Sequence, residues 1–318
     1  MVTDRYGRKF KKLRVSLTSQ CNFSCLYCTG VHHEQKPESV ASEHLSDASG
    51  KLIDTIQKLH QHSHFESIRL TGGEPLLNPD VVKIIEAISE MGINDIRLTT
   101  NGFLLPQFSQ QLAQAGLKSV NVSLDAITPE VFAVMARRNG IHQVLKGIDK
   151  ALEAGLNVKL NAVIMKNRNN QEIIPLLKFA NSKGLIIRFL ELMKMGPLHH
   201  TVHEWLYTQD DILQTIQKQH HTVPIPRKDG STANYWQLDN GQVFGIIANE
   251  SAPFCSDCNR LRLDTSGKIY GCISNNNGIE VANLESPMQL TLALQKAMDQ
   301  KQLQRFSGTE LSMQAIGG

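Results

Sequence analysis

Four stretches with helical spacing end alike: a glycine, an apolar residue, then a short apolar segment. The glycines are Gly92, Gly116, Gly155 and Gly184. Glycine there takes the left-handed conformation that stops a helix without Cβ strain. Apolar segments that read as strands lie at 13–18 (LRVSLT), 67–71, 95–100, 119–124, 157–165 and 185–192. Between them apolar residues recur at helical spacing, as at Val81, Ile84, Ile85 and Ile88. Thr128-Pro129-Glu130 reads as a helix start, with a cap, a fixed φ and an acid in the first turn. Repeated βα units with right-handed crossovers compel a parallel sheet with helices packed outside. Six units predict an α/β fold, a partial (βα)6 barrel of TIM type open along one side. A doubly wound open sheet is the alternative.

The pattern dissolves at 220–236, where Pro224 and Pro226 stand in a polar stretch. The expected division falls near 240, with the barrel in residues 1–240 and a smaller C-terminal domain, 241–318, closing the open side. A chain of 318 residues has room for both. Its 33 Lys plus Arg stand against 30 Asp plus Glu, a net +3 that does not suggest a nucleic-acid coat. The N-terminus is polar, and no apolar run is long enough to span a bilayer. The expectation is a soluble cytoplasmic protein with neither nucleic acid nor membrane as partner.

In parallel βα folds chemistry gathers at the C-terminal ends of strands. Here the first strand runs into a loop with Cys21, Cys25 and Cys28, and the second into Thr71-Gly72-Gly73-Glu74-Pro75. The third ends in Thr99-Thr100-Asn101-Gly102, and the fourth carries Ser123 and Asp125. The fifth holds Lys159 and Asn161; the sixth holds Arg188 and Glu191, then Met193. A Gly-Gly pair lets backbone approach a ligand closely, though alone it reads as a tight turn. Arg14, Arg69, Lys159 and Arg188 sit inside otherwise apolar strands, where an unpaired ion is costly. An internal carboxylate, Glu191 or Asp125, would answer for any one of them. All of them converging on a barrel interior would instead make a polyanion pocket. Arg260 and Arg262, two apart and so on one face of a strand, would join it.

The cysteines form two triplets, 21, 25, 28 and 255, 258, 272, a pattern that points to metal rather than to disulfides. A structural zinc site closes with four ligands, and a saturated iron–sulfur cubane takes four cysteines. Three cysteines leave one iron of a 4Fe-4S cluster open to a small molecule. His32 and His33 could instead complete a zinc site, or be solvated loop residues.

CNFSCLYC (21–28) matches the Cys-x3-Cys-x2-Cys motif of the radical S-adenosylmethionine enzymes, including the aromatic before the third cysteine, and GGEP (72–75) matches that superfamily's second motif. FCSDCNRLRLDTSGKIYGC (254–272) and the terminal IGG narrow it further. From about Lys12 to Gly318 the chain resembles the GTP 3′,8-cyclases, the molybdenum cofactor biosynthesis protein A family. The resemblance implies two 4Fe-4S clusters. The first, on Cys21, Cys25 and Cys28, would hold S-adenosylmethionine, with Tyr27, Gly73, Ser123 and Met193 lining its site. The second, on Cys255, Cys258 and Cys272, would accept the guanine of GTP. Arg14, Arg69, Thr99, Lys159, Arg260, Leu261 and Arg262 would bind GTP, with Arg188 nearby. Gly317 and Gly318 match the tail that the family inserts into its active site; otherwise they read as a frayed end. The implied reaction is one-electron cleavage of S-adenosylmethionine, hydrogen abstraction from the 3′ carbon of the ribose and addition of that carbon to carbon 8 of guanine. An electron donor and the cyclic pyranopterin monophosphate synthase that takes the product are the implied partners, and a homodimer is allowed.

Two departures touch loops over the site. Thr29-Gly30 stands where the family continues Met-Pro, and the segment between Cys272 and the tail is short. The rivals are a radical enzyme that modifies a peptide with an auxiliary cluster, a zinc-organised binding module, and a homologue that keeps clusters but not activity.

Overall fold

The computed structural model describes residues 3–30 and 45–316. Among the described residues twelve strands form one sheet: β1 (Lys12–Ser16), β2 (Ser67–Thr71), β3 (Asp95–Thr100), β4 (Ser119–Ser123), β5 (Asn157–Ile164), β6 (Ile186–Glu191), β7 (Thr222–Ile225), β8 (Asn234–Leu238), β9 (Val243–Ile247), β10 (Arg260–Leu263), β11 (Lys268–Tyr270) and β12 (Ile279–Glu280). Their order is β12-β11-β10-β1-β2-β3-β4-β5-β6-β9-β8-β7. The six predicted strands run parallel in sequence order. Helices intervene, among them Val81–Glu90, Leu105–Gln114, Ile141–Glu153 and Ile173–Ser182. The four predicted stop glycines all have positive φ, between 64° and 108°.

The C-terminal part does more than cap the barrel. It adds β10 parallel to β1 at one edge and β9 parallel to β6 at the other, so the parallel wall extends on both sides. The division expected at residue 240 falls in the turn between β8 and β9, two strands that pair with each other. Pro224 and Pro226 lie in and just after β7, which pairs antiparallel with β8, so the polar stretch at 220–236 is a hairpin. Thr128 does precede the helix Pro129–Ala136, but its side chain makes no capping bond. Its N–H, with that of Ile127, donates instead to Glu172 Oε2 at 3.1 and 2.8 Å.

Strand alternation separates two chemistries. Outward go Leu13, Val15, Ile68, Leu70, Ile96 and Leu98, packed in one core with Ile84, Ile85 and Ile88. Each such side chain contributes roughly 1.5–3 kcal/mol by leaving water. Inward go Arg14, Arg69, Thr99, Asn121, Asn161 and Arg188, all of which face the lumen.

Candidate active site

The cysteine loop follows β1. Residues Leu26–Thr29 make one helical turn, with the N–H groups of Cys28 and Thr29 donating to Cys25 O, and Gly30 ends it at φ 88°. Arg137, from the end of the helix Pro129–Ala136, donates to Thr29 Oγ1 at 3.0 Å and Gly30 O at 2.6 Å. Thr29-Gly30 therefore closes the turn through an arginine.

The glycine pair after β2 supports the same loop. Gly73 N–H donates to Thr18 O, and Glu74 N–H to Gln20 O, both at 2.7 Å. A Cβ at Gly73 would lie 2.0 Å from Gln20 O, and one at Gly72 2.3 Å from Thr18 O. The close approach that demands glycine is thus to the cysteine loop's own backbone, while both residues also line the cavity. Glu74 is fully buried and accepts from Leu76 N–H, Thr100 Oγ1 and Asn101 N–H. Burial pushes its carboxyl up to about 7 against those three donors. Asn101 in turn donates to Asn22 Oδ1 at 2.7 Å, beside Cys21. The ends of β2 and β3 are thereby tied to the loop that carries the thiols.

All three thiols of this loop face one large cavity, as do Cys255, Cys258 and Cys272. Burial pushes Cys21 up to about 11 and Cys28 to about 12, and raises Cys25 well above the ordinary thiol value. The charges of Glu74, Asp125 and the neighbouring cysteines add to the rise. At the second triplet burial also raises Cys255, to about 11. Burial opposes ionisation of Cys258 too, but Arg260 and Lys301 overcome it and hold that thiol well below the usual value. Arg260 Nη2 and Lys301 Nζ each donate to Cys258 Sγ at 3.2 Å.

Sulfurs bound at about 2.3 Å to one tetrahedral zinc stand roughly 3.8 Å apart. Among the described residues, one set of metal-ligating atoms lies within 4.8 Å of one another, His199, His200 and Glu310, and it contains no cysteine. A cubane instead binds each thiolate at a different iron, and three thiolates in each set match three of its four irons. His32 and His33 lie outside the described residues.

The lumen is cationic. Arg14, Arg69, Arg188, Arg260 and Arg262 line it. Burial, then the neighbouring guanidiniums, lower Arg69 to about 9 and Arg262 to about 10, and pull Arg14 well down. The carboxylates expected to answer for any one of them, Asp125 and Glu191, are held elsewhere. Asp125 accepts from Tyr27 Oη at 2.9 Å and Val163 N–H at 2.8 Å. Glu191 accepts from the backbone of Gln209, Glu250 and Ser251. Arg188 donates to neutral Asn121 Oδ1 at 2.7 Å and Arg69 to Thr99 Oγ1 at 3.3 Å. Arg188 Nε and Asn161 Oδ1 are buried with no partner. Several kcal/mol would be lost in burying such cations without an anion, so the lumen is built for one.

The structure brings nearly all of the expected site residues to this cavity: Tyr27, Gly73, Ser123, Met193 and Thr99 line it beside the arginines and cysteines. Lys159 lies on the same strand face as Asn161, nearer the start of β5. Leu261 differs: its side chain points outward into the core, so it can meet a ligand only through its main chain. Gly317 and Gly318 lie outside the described residues. The chain before them runs toward the site, with Ser312 and Met313 lining the cavity and Ile316 buried beside Met195 and Phe306. Sequence reasoning missed the loop-organising role of Glu74, the Tyr27–Asp125 bond and Lys301. For Lys301 the sequence carries no signal, since it stands 43 residues from the thiol it touches.

A parallel barrel whose first strand runs into a Cys-x3-Cys-x2-Cys loop, above a lumen of buried arginines, defines a radical S-adenosylmethionine enzyme with an anionic substrate. Residues 15–180 match the Radical SAM superfamily, and residues 185–307 match the family described as Molybdenum Cofactor Synthesis C. The GTP 3′,8-cyclase of Nautilia profundicola is 38% identical over 86% of this chain and 84% of its own length. That of Synechocystis is 33% identical over 100% and 95%. The chain belongs to the GTP 3′,8-cyclase family. Solved structures share the fold alone: Streptococcus suis SuiB bound to S-adenosylmethionine (TM-score 0.62, 13% identity, 89% of this chain, 66% of that one) and anSMEcpe with bound AdoMet (0.61, 13%, 91% and 82%). The cofactors are S-adenosylmethionine and 4Fe-4S clusters, two in this family.

Proposed function

We infer that this chain is a GTP 3′,8-cyclase, a lyase that converts GTP to 3′,8-cyclo-7,8-dihydroguanosine 5′-triphosphate in molybdenum cofactor biosynthesis. The observation that carries it is one cavity onto which two three-cysteine sets and a set of buried arginines all open.

In our reading Cys21, Cys25 and Cys28 hold the first cluster, and Cys255, Cys258 and Cys272 the second. When bound and reduced, the first cluster supplies one-electron cleavage of S-adenosylmethionine and hence hydrogen abstraction from the ribose. The chain's own residues position and shield. Tyr27, fixed by Asp125, stands with Gly73, Ser123 and Met193 as the S-adenosylmethionine wall. Arg14, Arg69, Lys159, Arg188, Arg260 and Arg262 neutralise the triphosphate, with Thr99 and the Leu261 main chain beside them. Fixed guanidinium forks suit phosphate oxygens and need no reorganisation on binding. Gly317 and Gly318 carry the catalytic tail that the family resemblance implies. In functional terms residues 1–240 carry the barrel chemistry and 241–318 the second cluster and tail.

We further propose an electron donor, hand-over of product to the cyclic pyranopterin monophosphate synthase, a homodimer, and a cytoplasmic setting. Among the described residues no helix is long and apolar enough to cross a membrane. The test is anaerobic incubation of the iron-loaded protein with S-adenosylmethionine, a reductant and GTP. A new nucleotide isomeric with GTP, formed with 5′-deoxyadenosine, is expected. 5′-Deoxyadenosine accompanied by unchanged GTP would overturn the substrate assignment.

A further inference from the structure

The strands β10, β1, β2 and β3 lie side by side, and their register sets four arginines in one row. Arg262 is opposite Arg14, Arg14 opposite Arg69, and Arg69 opposite Arg97. On β3 alternation buries Ile96 and Leu98 in the outer core and turns Arg97 to the lumen side, with Thr99. Three of the four are nucleotide ligands in the reading above. Arg97 has no assigned part.

Asp95, two residues earlier on the same strand, grips the Arg97 guanidinium in a fork, from Nε to Oδ1 at 2.8 Å and from Nη2 to Oδ2 at 2.6 Å. Both side chains are about half-buried, 41% and 39% exposed. An ion pair so exposed contributes little to stability, so it is a poor reason to place an arginine on this face. What the fork does accomplish is to fix the guanidinium while leaving the Nη1 donors for a third party. Arg97 also stands among cations. After burial itself, its charge is one of those that hold down Lys12, Arg69, Lys159 and Arg188. Of this group, Lys12 opens β1, and Arg97 and Lys159 are each the third residue of their strands.

We propose that Arg97 is a further phosphate-binding residue, which takes the terminal phosphate of a nucleoside triphosphate while Asp95 holds its guanidinium in place. This rests on the GTP reading and deepens it: the row makes the site selective for a triphosphate over a diphosphate. A guanidinium at the far end of the row meets the third phosphate and lies beyond the reach of a shorter chain.

Anaerobic titration calorimetry with GTP and with GDP, on the iron-loaded protein, tests it. The wild type binds GTP more tightly than GDP. Arg97→Ala weakens GTP about tenfold or more, the usual effect of losing one charge-assisted contact, and changes GDP by no more than about twofold. Arg97→Lys, which keeps the charge without the fork, recovers part of the preference. Iron and sulfide contents equal to wild type show that the variants are folded. If GTP binds the wild type and the GTP-to-GDP ratio survives in both variants, Arg97 has no such role and the GTP reading stands. If GTP does not bind the wild type at all, both fall together.

Discussion

The two cysteine triplets are alike in number and face the same cavity, yet their surroundings are opposite. Around Cys21, Cys25 and Cys28 stand Glu74, Asp125 and the other thiols, so burial and negative charge both resist ionisation. Around Cys258 stand Arg260 and Lys301, whose bonds to its sulfur favour the thiolate despite burial. The first set must therefore lose its protons to the metal it binds, whereas the second holds one thiolate ready. The difference follows from the work. A site for a sulfonium cation tolerates acids nearby. A site that receives a polyanion beside an anionic cluster needs positive charge already in place.

Breaking each triplet in turn separates them most. Cys25→Ala should abolish 5′-deoxyadenosine formation. Cys258→Ala should leave that cleavage measurable while eliminating the GTP-derived product; equal loss of both activities in the two variants would erase the distinction. A smaller effect is expected at Arg260, which serves both the thiolate and the lumen. Arg260→Ala should raise the GTP concentration required by about 10–100-fold, the scale of one or two charge-assisted bonds, as read from initial rates at varied GTP. Smallest is the proton count. Because the first-site thiols are raised to about 11 and 12 while Cys258 is held below its ordinary value, iron–sulfur assembly near pH 8 should release more protons at the first site. Acid should correspondingly disfavour loading there more steeply. Comparing proton release by the two single-site variants checks the sign, and Lys301→Gln should narrow the gap.

The parallel core was legible because alternation and stop glycines are local. Strands at 67–71 and 95–100 stand where the apolar runs put them, and the others differ by one or two residues at their ends. Placement of β9 and β10 against the barrel edges was not legible, because register between strands far apart in sequence leaves no local mark. The same holds at the site. Cysteine spacing announces a metal loop by itself. That Gly72-Gly73 serves the loop's backbone, that Asp125 belongs to Tyr27, and that Lys301 reaches Cys258 all depend on pairings across the fold. The lumen arginines were legible as anomalies, charges in apolar strands, and what the structure adds is that Asp125 and Glu191 are engaged elsewhere.

The most direct test is Mössbauer spectroscopy of anaerobic protein loaded with iron-57, with and without S-adenosylmethionine and GTP. About eight irons in two cubanes are expected, one iron of the first responding to S-adenosylmethionine and one of the second to GTP. A single cubane, or two whose irons respond to neither ligand, would contradict the account.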